Sequence, residues 1–105
     1  MKYAFFSFVL LVAGQVSAGD VSVAVENFTH ERGIATAVLK VTNNLGKTAN
    51  NVFVDCAFLD GEKKAIDVSS ALIESISTND HAYDKAAITT KRDFQYVECR
   101  VGKFN

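Results

Sequence analysis

The sequence predicts an all-β protein, a small antiparallel β-sandwich of six to seven strands. Three observations predict it. Short, β-branched stretches with apolar residues at every second position recur at roughly ten-residue intervals. Clusters of Asn, Asp and Gly separate them, as turns require. Two cysteines, Cys56 and Cys99, lie inside two of the clearest alternating stretches.

The chain opens with Met1-Lys2, an apolar run over residues 3–13, and Val16-Ser17-Ala18. A basic start, an apolar stretch and small residues three apart compose a secretory signal peptide. Cleavage is expected after Ala18, leaving residues 19–105 as a single exported domain, periplasmic or extracellular. The apolar run is broken by Gly14-Gln15, well short of the roughly 20 residues a membrane-spanning helix needs. Gln15 also stands near where a lipid-bearing cysteine would be needed. No later run could span a bilayer, so no membrane span is expected once the leader is removed.

The chain has 11 basic and 12 acidic side chains and a net charge of −1. Its adjacent basic pairs, Lys63-Lys64 and Lys91-Arg92, are isolated. Nucleic acid is therefore excluded as an expected partner, because that affinity comes from clustered Lys and Arg on phosphates. In an exported domain of this size, two cysteines read as one disulfide. Closing a loop of about 44 residues contributes about 4 kcal/mol in the chain-entropy account.

The elements follow in order. Residues 21–28 alternate Val21, Val23 and Val25 with Ser22, Ala24 and Glu26. Residues 29–33 form a polar connection that holds His30-Glu31 and ends in Gly33. Residues 34–42 place Ala35, Ala37, Leu39 and Val41 on one side. The Asn-rich run 43–47 is turn chemistry. Residues 51–59 form the longest clean strand. Val52, Val54, Cys56 and Phe58 make its core face, and Phe53, Asp55, Ala57 and Leu59 face outward. Asp60-Gly61 is a hairpin signal, leading to a strand that begins within 63–68. Residues 69–77 are expected to be extended with an irregularity near Ser69-Ser70. A turn at 78–80, a weaker strand over 81–89, a charged turn at 91–93, a last strand over 94–101 and a short tail complete the chain.

The run 35–67 resembles the core of FxLYD-type bacterial exported domains. Val41-Thr42-Asn43-Asn44 matches that family's first strand and Asn-rich turn. Asn51-Val52-Phe53-Val54 matches its Val-rich strand, and Phe58-Leu59-Asp60-Gly61 its name-giving region. The chain departs from the pattern at Thr78-Asn79-Asp80, where a Pro-Gly turn is expected. The resemblance implies an immunoglobulin-like sandwich without shared catalytic residues. It also implies that the strand entering the Asp-Gly hairpin pairs antiparallel with the last strand. Opposing Cys56 and Cys99 then sets Val54 against Val101 and Phe58 against Val97 inside. Outside, it sets Asp55 against Arg100 and Leu59 against Tyr96.

Candidates for chemistry are sparse. His81 lies between Asp80 and Asp84, but alternation turns His81 and Asp84 to opposite faces, while a metal needs convergent ligands. His30-Glu31 reads as a solvated connection. The serines at 69, 70, 75 and 77 lack a nucleophile-elbow context, and no C-x-x-C or phosphate loop occurs. No catalytic residue, cofactor or metal ligand is assigned. Asn27-Phe28-Thr29 is a glycosylation sequon that, beside the bacterial resemblance, reads as chance. The expectation is an exported, non-catalytic binding or structural module recognising another protein through a sheet face or an edge strand. Phe53, Leu59, Phe94 and Tyr96 are its candidate face, since a shared apolar patch marks an interaction surface. The alternative is a small secreted enzyme inhibitor or toxin-associated protein acting through a loop, with the turns at 43–47 and 78–80 as its tips.

Overall fold

The computed structural model describes residues 16–18 and 20–105. The expected leader, residues 1–18, thus lies outside the described residues except at its end. The described chain forms seven strands: β1 (Val16–Ala18), β2 (Val21–Glu31), β3 (Ile34–Asn43), β4 (Ala49–Leu59), β5 (Ala65–Ile76), β6 (Asp80–Thr89) and β7 (Tyr96–Lys103). They make two antiparallel sheets, ordered β1-β2-β3-β6 and β5-β4-β7. The chain crosses between sheets after β3, β5 and β6, an immunoglobulin-like connectivity.

Alternation builds the core between them. Ala35, Ala37, Leu39 and Val41 of β3 and Val52, Val54, Cys56 and Phe58 of β4 are all buried. Each exposes its intervening neighbours more. Cys56 is bonded to Cys99, with their Cα atoms 4.0 Å apart. β4 and β7 pair with Cys56 opposite Cys99, Val54 opposite Val101, Phe58 opposite Val97, Asp55 opposite Arg100 and Leu59 opposite Tyr96. The register expected from the cysteines is the one adopted.

Three irregularities redirect side chains. Glu26 is an extra residue in β2, between Val25 opposite Leu39 and Asn27 opposite Val38. Strict alternation would bring Asn27 and Thr29 inward. The bulge brings Phe28 and His30 instead, opposite Ala37 and Ala35. His30 therefore belongs to β2 and not to a solvated connection. In β5 the extra residue is Ile66, so the irregularity lies there and not at Ser69-Ser70. In β7 it is Gly102. A Cβ on Gly102 would sit 2.8 Å from Asp55 Oδ2, so a side chain there would displace the Asp55 carboxylate.

The turns follow their chemistry with one change. Arg32 and Gly33, with φ of 54° and 78°, make a two-residue hairpin of the kind that needs two positive φ values. The Asp60-Gly61 hairpin is wider than the dipeptide suggests. Its left-handed residue is Lys63 (φ 64°), and Asp60 anchors the loop by accepting the Glu62 and Lys64 N–H groups on its carboxylate. The tail is tied down: Asn50 and Asn105 exchange both backbone hydrogen bonds, at 2.9 and 2.8 Å.

Asn43, fully buried, links the two sheets. Its Nδ2 donates to the carbonyls of Lys47 and Ile76, each at 2.9 Å, and its Oδ1 accepts the Leu45 N–H at 2.8 Å. This one side chain joins the end of β3 to the end of β5.

Two outcomes follow. Replacing both cysteines with alanine should cost about 4 kcal/mol and lower Tm by roughly 20 °C, measured by calorimetry. Asn43→Ala should cost about 2–4 kcal/mol in urea unfolding, because two carbonyls and one N–H are left unpaired in the interior. A loss below about 1 kcal/mol would remove Asn43 from this role.

Candidate functional site

The outer faces of the two sheets differ. On the larger sheet, Thr36, Lys40, Thr42, His81 and Lys85 point outward, and two large apolar groups, Ile34 and Tyr83, are exposed among them at separate places on the ladder. On the smaller sheet the ladders align three rows across β5, β4 and β7. These are Leu72–Phe53–Lys103, Ser70–Asp55–Arg100 and Val68–Ala57–Glu98. Val68 is 65% exposed, Leu72 47% and Tyr96 37%. Small residues in the middle, Ala57 and Ser70, leave a shallow depression walled by Asp55, Val68, Glu98 and Arg100.

Polar contacts hold the face in shape. Ser70 Oγ donates to Asp55 Oδ1 at 2.8 Å. Asp55 stands opposite Arg100 but does not ion-pair with it among the described residues; its carboxylate turns toward Ser70 and Gly102. Arg100 is thereby left exposed beside the depression. Lys103 Nζ lies 5.1 Å from the centre of the Phe53 ring, and Lys63 Nζ lies 5.2 Å from that of Tyr96. Both pairs join a cation to an aromatic face.

Two of the four residues expected on this face are not exposed there. Leu59 stands beside Tyr96 by ladder parity but is only 6% exposed. Leu59 is the last residue of β4, at the register shift made by Ile66, so the regular alternation of the face ends there. Phe94 precedes β7 and so escapes the strand's alternation. It turns inward, its ring centre 5.3 to 5.4 Å from those of Phe28, His30 and Phe58. It closes one end of the sandwich as part of the core wall. Val68 and Leu72 occupy the face instead. The alternation of β5 could have revealed them, but only with the bulge at Ile66 in place.

The other candidates read as structure. His30 Nε2 lies 2.9 Å from the Thr90 carbonyl and its ring packs on Phe94. His81 Nδ1 is 3.9 Å from Asp80 Oδ1 and its ring meets Tyr83 edge-on. Asp84, three residues on, pairs with the buried Leu39 and so faces the other way. Among the described residues no three His, Cys, Asp or Glu side chains converge as metal ligands would. No described helix is long and apolar enough to cross a membrane. Asn27 is exposed on β2 and accepts the Phe28 N–H on its side chain.

The turns at 43–47 and 78–80 meet at one end of the sandwich. Thr78 Oγ1 donates to the Leu45 carbonyl, and Asn43 binds both Lys47 and Ile76. They form one braced unit. Comparison with protein-family models, curated proteins and solved structures finds no match to this chain.

At the hairpin end of the face, Asp60 lies below its ordinary carboxyl range of 3.8. The Lys64 N–H is the main cause, opposed by partial burial and helped by the Glu62 N–H, Arg92 and the Lys64 ammonium. Because the folded state favours the carboxylate, its contribution is present above the unfolded value and lost as pH falls through the lower folded value. The stability difference between the protein and Asp60→Asn should therefore be constant near neutrality and shrink below about pH 4, measured by urea titration across pH. A difference independent of pH would contradict this assignment.

Proposed function

We propose that this chain is an exported, non-catalytic module that binds another protein through the outer face of β5, β4 and β7. The observation carrying the reading is that Phe53, Val68, Leu72 and Tyr96 gather on one outer face, while on the opposite outer face the exposed apolar groups Ile34 and Tyr83 stand apart among polar side chains. An exposed apolar cluster rimmed by charge is the usual composition of a recognition surface. Here the rim is Glu98, Arg100 and Lys103, and the aromatics with Arg100 are the residue types that dominate binding energy. The shallow depression suits a protruding side chain of a partner more than a small substrate, which requires a deeper, enclosed site. Export rests on the leader pattern and on the disulfide, a cross-link at home in an oxidising compartment. Membership of an FxLYD-type group belongs to the same proposal, resting on the motifs at 41–44, 51–54 and 58–61.

A second reading has one observation in its favour. The braced turns at 43–47 and 78–80 are preorganised, and a rigid loop loses little freedom on blocking an enzyme. They are short and carry no aromatic anchor, so the sheet face is the stronger candidate.

Photo-crosslinking residues installed separately at Val68, Tyr96, Lys47 and Tyr83 distinguish these readings in the native secretion host. The sheet-face reading expects one common adduct from Val68 and Tyr96 and none from Tyr83. An adduct from Lys47 alone would select the loop reading, and equal labelling at all four sites would defeat both.

A further inference from the structure

Among the described residues no strand pairs with the outer edge of β5, and that edge has a composition and a pattern of backbone groups that fit a second copy of the same strand. Edge strands expose rows of N–H and C=O groups, and proteins normally blunt them with charge or local caps. On β6, Asp80 and Asp84 accept the N–H groups of the following His81 and Lys85. β7 carries Glu98, Arg100 and Lys103 and is bent by the bulge at Gly102. β5 is 12 residues long, has neither Lys nor Arg, and is uncharged from Val68 to Ile73. Its one side-chain cap of this kind is Asp67, which takes the Val68 N–H at 2.8 Å.

The disulfide reveals which β5 groups are free. At 4.0 Å between Cα atoms, Cys56 and Cys99 form a narrow, non-hydrogen-bonded pair. The N–H and C=O of Cys56 therefore turn the other way, to its β5 neighbour Ser69. Odd-numbered residues of β5 bond to β4, and Val68, Ser70 and Leu72 present their backbone groups outward. The Asp67 cap on the Val68 N–H agrees with that direction.

We propose that two copies pair antiparallel through β5, with Ser70 on the two-fold axis and Val68 of each copy opposite Leu72 of the other. Free groups match only where even positions oppose even positions. In the register centred on Ser70, two apolar pairs form on the outer face, and Asp67 and Glu74 avoid each other by standing opposite Ile73 and Ile66. Moving the centre one residue either way sets Val68 against Ser70 or Glu74 and loses both apolar pairs. The interface is isologous and closed, since the same strand serves both copies. It joins two three-stranded sheets and brings Phe53 and Leu72 of one copy alongside Val68 and Ala57 of the other. The pairing is independent of the partner reading above and stands or falls separately.

Sedimentation equilibrium on the intact, disulfide-bonded protein should show twice the monomer mass, diluting to monomer. Ser70→Cys should yield a covalent dimer on mild oxidation, because hydrogen-bonded neighbours lie about 5.5 Å apart at Cα, within disulfide reach. Ser75→Cys, away from the axis, should not. Leu72→Lys, at an exposed position, should weaken the dimer at least about tenfold with an unchanged circular dichroism spectrum. A monomer at every attainable concentration would overturn the proposal. So would a dimer that Leu72→Lys leaves intact, or one that crosslinks as readily through Ser75→Cys as through Ser70→Cys.

Discussion

The pairing of Cys56 with Cys99 is the constraint on which the rest of the structure depends. A bond between directly opposite residues admits one register of β4 against β7, and a slip of one residue would turn every side chain of a strand to the wrong face. With the register held, Val52, Val54 and Phe58 enter the core together, and Phe53, Asp55 and Ala57 leave it together. The bond's narrow pair also decides which way each backbone group of β4 points. Through β4 it decides the same for β5. One covalent link in the middle of a three-stranded sheet thus governs its core face, its outer face and its free edge.

The departures from alternation matter as much as the alternation. A bulge at Glu26 turns Phe28 and His30 inward beside Ala35 and Ala37, whose small side chains leave space there. Phe94 enters the same space from outside any strand and packs on Phe58. This end of the core is therefore closed by Phe94 and flanked by His30 and by Phe28, which stays 45% exposed. At the opposite end the buried Asn43 serves a different purpose. Its hydrogen bonds tie a loop and both sheets together at the core's edge.

The outer face of the smaller sheet combines these effects. Its apolar groups are not a stripe in the sequence. Phe53, Val68, Leu72 and Tyr96 come from three strands and meet because the two ladders of β4 align them. Asp55, set opposite Arg100 by the register, accepts the Ser70 hydroxyl and packs on Gly102 without an ion pair to Arg100 among the described residues. A cation is left in the wall of the depression, beside the exposed Val68, and binding chemistry draws on that combination.

The sequence by itself determined the all-β class, most strand positions and the inward residues of β3 and β4. Each depends on local backbone geometry, which period-two alternation reports directly; the cysteine register needed in addition the strand adjacency that the family resemblance implies. Only the tertiary structure decided where the bulges at Glu26, Ile66 and Gly102 fall, that Leu59 and Phe94 are withdrawn, and that Val68 and Leu72 replace them. A bulge is set by how two strands fit across a core, and exposure by what arrives from elsewhere in the chain. Neither is written in the residues of one strand.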